Sequence, residues 1–141
     1  MKVGISKLIA GSQSLETFFQ QSADAGYEVV ELSIRREGEL TVETDSDALK
    51  KICESATEKG LSIDSVTHGH CTGNLLASGE LQKTSIEETK AGLKVASELG
   101  AYCSLHTLGR LSPELPYDEA YKNGIESLKM LAPFAEELGV S

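Results

Sequence analysis

Four stretches of this chain are short, apolar and rich in β-branched or small residues, and each gives way to polar positions: Val3–Ser6, Glu28–Ile34, Ser62–Thr67 and Tyr102–His106. They read as strands. Between them apolar residues recur every three or four positions, the spacing of an amphipathic helix. Leu15, Phe18, Ser22 and Ala25 share one face of a helix that opens at Ser14, an N-cap residue, and stops at Gly26. A second helix runs from about Ser46 to Gly60, with Leu49, Ile52, Cys53 and Ala56 in phase. The third spans Leu81–Leu99 and buries Ile86, Leu93, Ala96 and Leu99. The fourth is expected to be capped by Asp118 and to present Ile125, Leu128, Leu131 and Leu138. Pro133 lies inside this last pattern, which predicts a kink or break near Ala132.

The same motif closes every unit: a helix end, a glycine, then a strand. Gly26, Gly60, Gly100 and Gly139 recur at intervals of 34, 40 and 39 residues, in AGYEVVELS, KGLSIDSVTH, LGAYCSLH and ELGVS. A period of this size marks a repeated supersecondary unit, here a strand followed by a helix. Strands that alternate with helices pair in parallel. Residues 1–141 therefore read as a single α/β domain of four β/α units, with a fifth strand due where the sequence stops. An open sheet of this kind is expected to leave two edges and one apolar face uncovered.

Composition narrows the function. The net charge of −9 disfavours nucleic acid and anionic membrane as partners, since both call for a positive field. No run approaches the roughly 18 apolar residues of a membrane span, and the N-terminus lacks the apolar core of a signal peptide. A cytoplasmic location is expected. Cys53, Cys71 and Cys103 are widely spaced and odd in number, which fits free thiols rather than a disulfide framework or a structural zinc site. Motifs of the form G-x-G-x-x-G or G-x-x-x-x-G-K-[ST] do not occur, so nucleotide binding has no sequence support.

The chemistry-bearing residues gather at strand ends. His68 and His70 close the third strand in THGHC, and His106 closes the fourth in SLHTLG. Histidine ligates metals and titrates near neutral pH. Neighbouring strands lie about 4.8 Å apart, so His68 and His106 can converge on one site; the plain alternative is that they are satisfied polar groups atop the core. Glu31 interrupts the apolar run VVELS, where a carboxylate is costly unless bonded. It either faces a site or bonds to backbone or a lysine. Asn74 either fixes its loop through side-chain–backbone bonds or approaches a ligand. Gly11–Ser14, ahead of the first helix, offers a weak anion site, and Arg35 a reach toward phosphate, although Arg35–Glu37 reads first as a solvated loop. A nucleophilic role for Cys71 or Cys103 is not expected, because no base partner beyond the histidines is evident.

The run SVTHGHCTGNLLASGE, the long helix ending ASELGA, and YCSLHTLG together resemble the xylose isomerase-like TIM barrels, a superfamily of sugar isomerases and epimerases that also includes endonuclease IV. AGYEVVEL is similar to the second strand of the sugar branch. The resemblance implies a (βα)4 half of a (β/α)8 barrel, because the full barrel has eight strands and about 250 residues. It implies the N-terminal half of a metal-dependent sugar or sugar-phosphate isomerase/epimerase, inactive on its own. Glu31, His68, His106 and Asn74 would then contact substrate, and no residue of this half would be a proton-transfer catalyst. A divalent ion (Mn, Mg, Co or Zn) is implied for the full-length parent, held mainly by later strands, so that this chain by itself need bind none. In the endonuclease IV branch His68 and His106 would instead be zinc ligands of a phosphodiesterase, although His70 stands where that branch has proline. The partners implied are a small sugar or sugar phosphate and either the missing C-terminal half or a second copy in a homodimer. A non-enzymatic assembly module is the third reading.

Overall fold

The computed structural model describes residues 1–141. Its elements are β1 (Gly4–Ser6), α1 (Leu15–Asp24), β2 (Val29–Ile34), α2 (Ser46–Glu58), β3 (Ser62–His68), α3 (Glu80–Glu98), β4 (Cys103–Leu105) and α4 (Tyr117–Leu138). A short 3-10 turn, Lys7–Ala10, follows β1. The strands form one parallel sheet in the order β1-β2-β3-β4. All loops that leave strand C-termini therefore lie at one end of the sheet.

Alternation along the strands sorts the two faces. Ile5, Val30, Leu32, Ile34, Ile63 and Val66 point to the helical side, where they join Phe18, Phe19, Leu49, Ala56, Val95 and Ala96 in one core. The opposite face carries Ser6, Glu31 and Ser65 in register across three strands. It is polar, not apolar as expected. Its side chains bond to one another: Ser6 Oγ donates to Glu31 Oε1 at 2.6 Å, and Ser65 Oγ to Oε2 at 3.0 Å. The register slips between Val30 and Glu31, where Asp64 is the extra residue on β3; this slip sets Ser65 opposite the carboxylate.

Helix starts follow local chemistry. Ser14 caps α1 by accepting from Thr17 N, and Asp45 caps α2 by accepting from Ala48 N. At α4, Pro116 rather than Asp118 holds the cap position, and Asp118 lies in the first turn, where its charge favours the helix dipole. The expected break at Pro133 does not occur, for α4 runs unbroken to Leu138. Phe134, Ala135 and Leu138 pack against the main core just beyond the proline, and this burial offsets the lost backbone bond. The expected apolar face of α4 also differs. Ile125 and Leu128 are exposed, whereas Ala120, Asn123, Gly124, Ser127 and Leu131 are buried. The reason is polar docking: Asn123 Nδ2 donates to Leu76 O and Ser127 Oγ to Leu75 O, so the helix is oriented by the loop after β3.

At the last residue, Ser141 N donates to Tyr102 O (2.9 Å) and Ser141 O accepts from Ser104 N (2.7 Å). The outer edge of β4 thus carries the hydrogen bonds of strand pairing.

Candidate functional site

The loops at the strand C-terminal end are tied together. Asn74 Oδ1 accepts from Leu76 N, an Asx turn, while its Nδ2 donates to Arg110 O in the loop after β4 (both 2.9 Å). Leu75 N bonds to Leu108 O alongside. Gly109 is required here, because a Cβ at its φ of +142° would overlap Asn74 Oδ1. Asn74 thereby ties the loops after β3 and β4 together. Arg36 performs the same task on the other side, with Nε donating to His70 O (3.1 Å) and Nη2 to Cys71 O (3.4 Å). A solvated loop was expected there.

The sheet brings His68 and His106 together as the strand spacing predicts. Their rings stack at 5.1 Å between centroids and 19° between planes, and His70 lies 5.4 Å from His68. His68 and Ser104 meet across β3 and β4 with Nε2 2.6 Å from Oγ. His70 Nε2 bonds to the α3 carbonyl of Glu88 at 2.8 Å, with the Cys71 thiol 3.7 Å from the same nitrogen. The Glu88 carboxylate collects Thr72 N, Thr72 Oγ1 and Gly73 N at 2.5–3.0 Å. Burial acts to raise its carboxyl, but these bonds outweigh burial and hold it below the usual carboxylate range.

Glu31 does not join this group. It and Ile34 are three residues apart on β2 and so face opposite ways. Ile34 lies in the helix-side core and pairs with His68. The histidines therefore occupy the face covered by α3, and Glu31 the open one. A wider cleft of about 560 Å³ lies beyond β1 and β2, lined by Lys7, Ser33 and Arg35 together with Glu37 and Glu39. The N-terminal amide of α1 at Leu15 is already taken by Glu39 Oε2 (2.9 Å), so an anion at Gly11–Ser14 would have to displace that carboxylate.

Burial governs the electrostatics of the histidine group. Desolvation, reinforced by His106 and His70, pushes the His68 pKa down from 6.5 to about 3. His106 is lowered for the same first reason. Burial, together with the Glu88 charge, raises the Cys71 thiol to about 11, so it is no nucleophile at neutral pH. Several ring nitrogens are buried without partners: Nδ1 of His68 and of His70, and both nitrogens of His106. Unbonded buried polar atoms are costly, and each calls for a partner such as a buried water or a bound ion. Glu88 and Gly92 were not legible as members of this group, because only the packing of α3 on β3 and β4 brings them there, whereas Cys71 follows His70 directly in the sequence and Ser104 is placed beside His68 by the pairing of β3 with β4.

Gly92 is the point where α3 admits the rings. A Cβ at residue 92 would sit 2.7 Å from His68 Cε1 and 2.8 Å from Nδ1. Alanine in a helix interior normally gains about 1 kcal/mol over glycine, yet overpacking costs about 1–3 kcal/mol. Gly92→Ala is therefore expected to destabilise the protein by about 1 kcal/mol in urea titration; a raised midpoint would show that the rings yield freely.

The comparisons with known proteins agree with this architecture. The family model described as xylose isomerase-like TIM barrel matches residues 19–141. No curated protein matches the chain. Among solved structures, a D-psicose 3-epimerase in the presence of D-fructose superposes with a TM-score of 0.80 at 19% identity, covering 100% of this chain and 50% of its own. D-psicose 3-epimerase with D-tagatose from Clostridium cellulolyticum H10 gives 0.81 at 17% identity, with coverage of 99% and 50%. A sugar phosphate isomerase/epimerase from Parabacteroides distasonis gives 0.73 at 22% identity, with coverage of 99% and 49%. The chain spans about half the length of these structures, so its four β/α units correspond to half of an eight-stranded barrel. No helix is long and apolar enough to cross a membrane. The matched family model, with the fold that carries it, shows that this chain belongs to the xylose isomerase-like TIM barrel family.

Proposed function

We propose that residues 1–141 are one half-barrel domain, the N-terminal half of a metal-dependent cytoplasmic sugar or sugar-phosphate isomerase/epimerase, and that the isolated half does not turn over. The observation that carries this reading is the open polar face: a carboxylate, Glu31, held by two serines at the centre of a sheet whose β4 edge accepts strand pairing from Ser141. A barrel interior is built from such a face, and substrates meet it at the strand C-termini. The reaction class is proton transfer next to a sugar carbonyl. A bound divalent metal would supply polarisation of the sugar oxygens. Glu31, with both oxygens occupied by hydroxyl donors, orients substrate hydroxyls rather than moving the proton.

The test is direct. Purified chain is assayed with D-fructose, D-tagatose and D-fructose 6-phosphate, with and without Mn(II) or Co(II). Saturable sugar binding that Glu31→Gln weakens about tenfold, without epimerisation, is the expected result. Epimerisation at the rate of a complete barrel would overturn the half-barrel reading, and absence of any sugar binding would overturn the sugar reading. Sedimentation distinguishes a homodimer from a monomer that needs a second half. The stacked His68–His106 pair favours the phosphodiesterase alternative, whereas the charge of −9 opposes it. Cleavage of abasic DNA by the zinc-loaded chain would decide for that alternative.

A further inference from the structure

We propose, on the reading of the open face as a sugar site, that the cleft beyond β1 and β2 holds the phosphate of a phosphorylated sugar, with Lys7 and Arg35 as its cationic clamp. Lys7 is 8% exposed and Ser33 7%, and both line this cleft of about 560 Å³ together with Arg35. Its size suits a small-molecule ligand.

The first observation is a buried ammonium without a counter-ion. The ion pairs of the structure are Lys50–Glu54, Lys59–Glu16 and Lys90–Glu87, so neither Lys7 nor Arg35 is paired. Lys7 Nζ donates to Gly11 O at 2.9 Å and lies 5.8 Å from the centre of the Phe18 ring, contacts that fix the ammonium and leave it donors to spare. Burial, and after it the like charge of Arg35, depress the Lys7 pKa, while Glu39 acts the other way. A buried charge without a partner is costly. Two cations on one cleft also repel unless an anion comes between them.

The second observation is Ser33, whose Oγ is buried with no hydrogen-bond partner. On β2 it follows Glu31 by two residues, hence on the same face and about 6.6 Å nearer the strand C-termini. A six-carbon sugar phosphate is long enough to set a hydroxyl at Glu31 and its phosphate in the cleft.

The chemistry favours phosphate over carboxylate. A phosphate monoester carries a charge of about −1.5 to −2 at neutral pH, enough for two cations, and its oxygens match the planar fork of a guanidinium. Glu37 and Glu39 line the cleft as well. Glu39 is engaged at Leu15 N, and Glu37 lies on an exposed loop, where water screens its repulsion more than it screens the attraction of buried Lys7. Phosphate sites of such barrels frequently follow the seventh and eighth strands; this clamp stands at the first and second.

The experiment titrates the whole chain calorimetrically with D-fructose 6-phosphate, D-fructose, D-glucuronate and inorganic phosphate. D-Fructose 6-phosphate should bind about tenfold or more tighter than D-fructose, with inorganic phosphate competing. Lys7→Met, which keeps the buried stem, and Arg35→Gln, at an exposed position, should each remove most of that preference. Circular dichroism checks that both variants are folded. Equal affinity for the two sugars in the unaltered chain, or a preference that survives both variants, overturns the clamp. D-Glucuronate bound as tightly as D-fructose 6-phosphate overturns the phosphate assignment. The sugar reading fails separately: Lys7-dependent binding of inorganic phosphate without any binding of D-fructose would overturn that reading and leave the clamp. D-Fructose binding that Glu31→Gln weakens, with no gain from the phosphate, would overturn the clamp and leave the sugar reading.

Discussion

Acidification from pH 6.5 to about pH 5 is expected to cost the metal-free protein about 2 kcal/mol through His68. In the folded protein this ring is surrounded by His106, His70 and Cys71 and lies under α3, and its pKa falls from 6.5 to about 3. The unfolded chain therefore takes up a proton that the folded one refuses. The contribution of the neutral buried ring is complete above 6.5 and is lost as pH falls toward 3. Across the whole window, from 6.5 to about 3, the effect is on the order of 5 kcal/mol, at 1.36 kcal/mol for each pH unit. His106 acts in the same direction. Urea titrations in chelator at neutral and mildly acidic pH measure the slope. In His68→Gln most of it should vanish, leaving only the His106 part. An unchanged slope in that variant would mean that the ring is solvated in the folded state.

Phe19→Ala should be about as damaging, at any pH. Phe19 is fully buried on α1, 5.9 Å between ring centroids from Phe18, in the core that joins all four helices to the sheet. Large aromatic-to-alanine changes at such positions cost about 3–5 kcal/mol, part lost transfer and part cavity. Against a typical total stability of about 5–15 kcal/mol, much of the folded population is at stake. The urea midpoint should drop with the slope unchanged. Leu8→Ala, at a half-exposed position, is the control and should stay within about 0.5 kcal/mol. A small loss in Phe19→Ala would show that the core recloses around the gap.

The fold was written largely in local terms. Ser14 and the apolar phase of Leu15 and Phe18 predict α1 because capping and helical periodicity involve residues within a few positions of one another. The β2 and β3 runs are likewise set by composition and by the glycines before them. His68 and His106 were expected to meet, since adjacent parallel strands bring their ends together. Where the reading departed from the structure, longer-range forces decided. Pro133 did not break α4 because Phe134 and Leu138 bury against distant residues. Ile125 and Leu128 did not face the core because Asn123 and Ser127 bond to Leu76 and Leu75.

The candidate site divides in the same way. The sequence by itself determined which residues can carry chemistry, namely Glu31 within the second strand, the histidines at strand ends and Asn74 in the loop that follows, because residue type and strand periodicity are local properties. Only the tertiary structure decided that Glu31 and His68 lie on opposite faces, a consequence of the pairing register and the slip after Val30. It alone committed Asn74 to Arg110, and it alone brought α3 over the histidines at Gly92, with Glu88 beside His70. Register and helix docking depend on which side chains fill the space between elements tens of residues apart. That sum of many contacts is not carried by any single stretch of the chain.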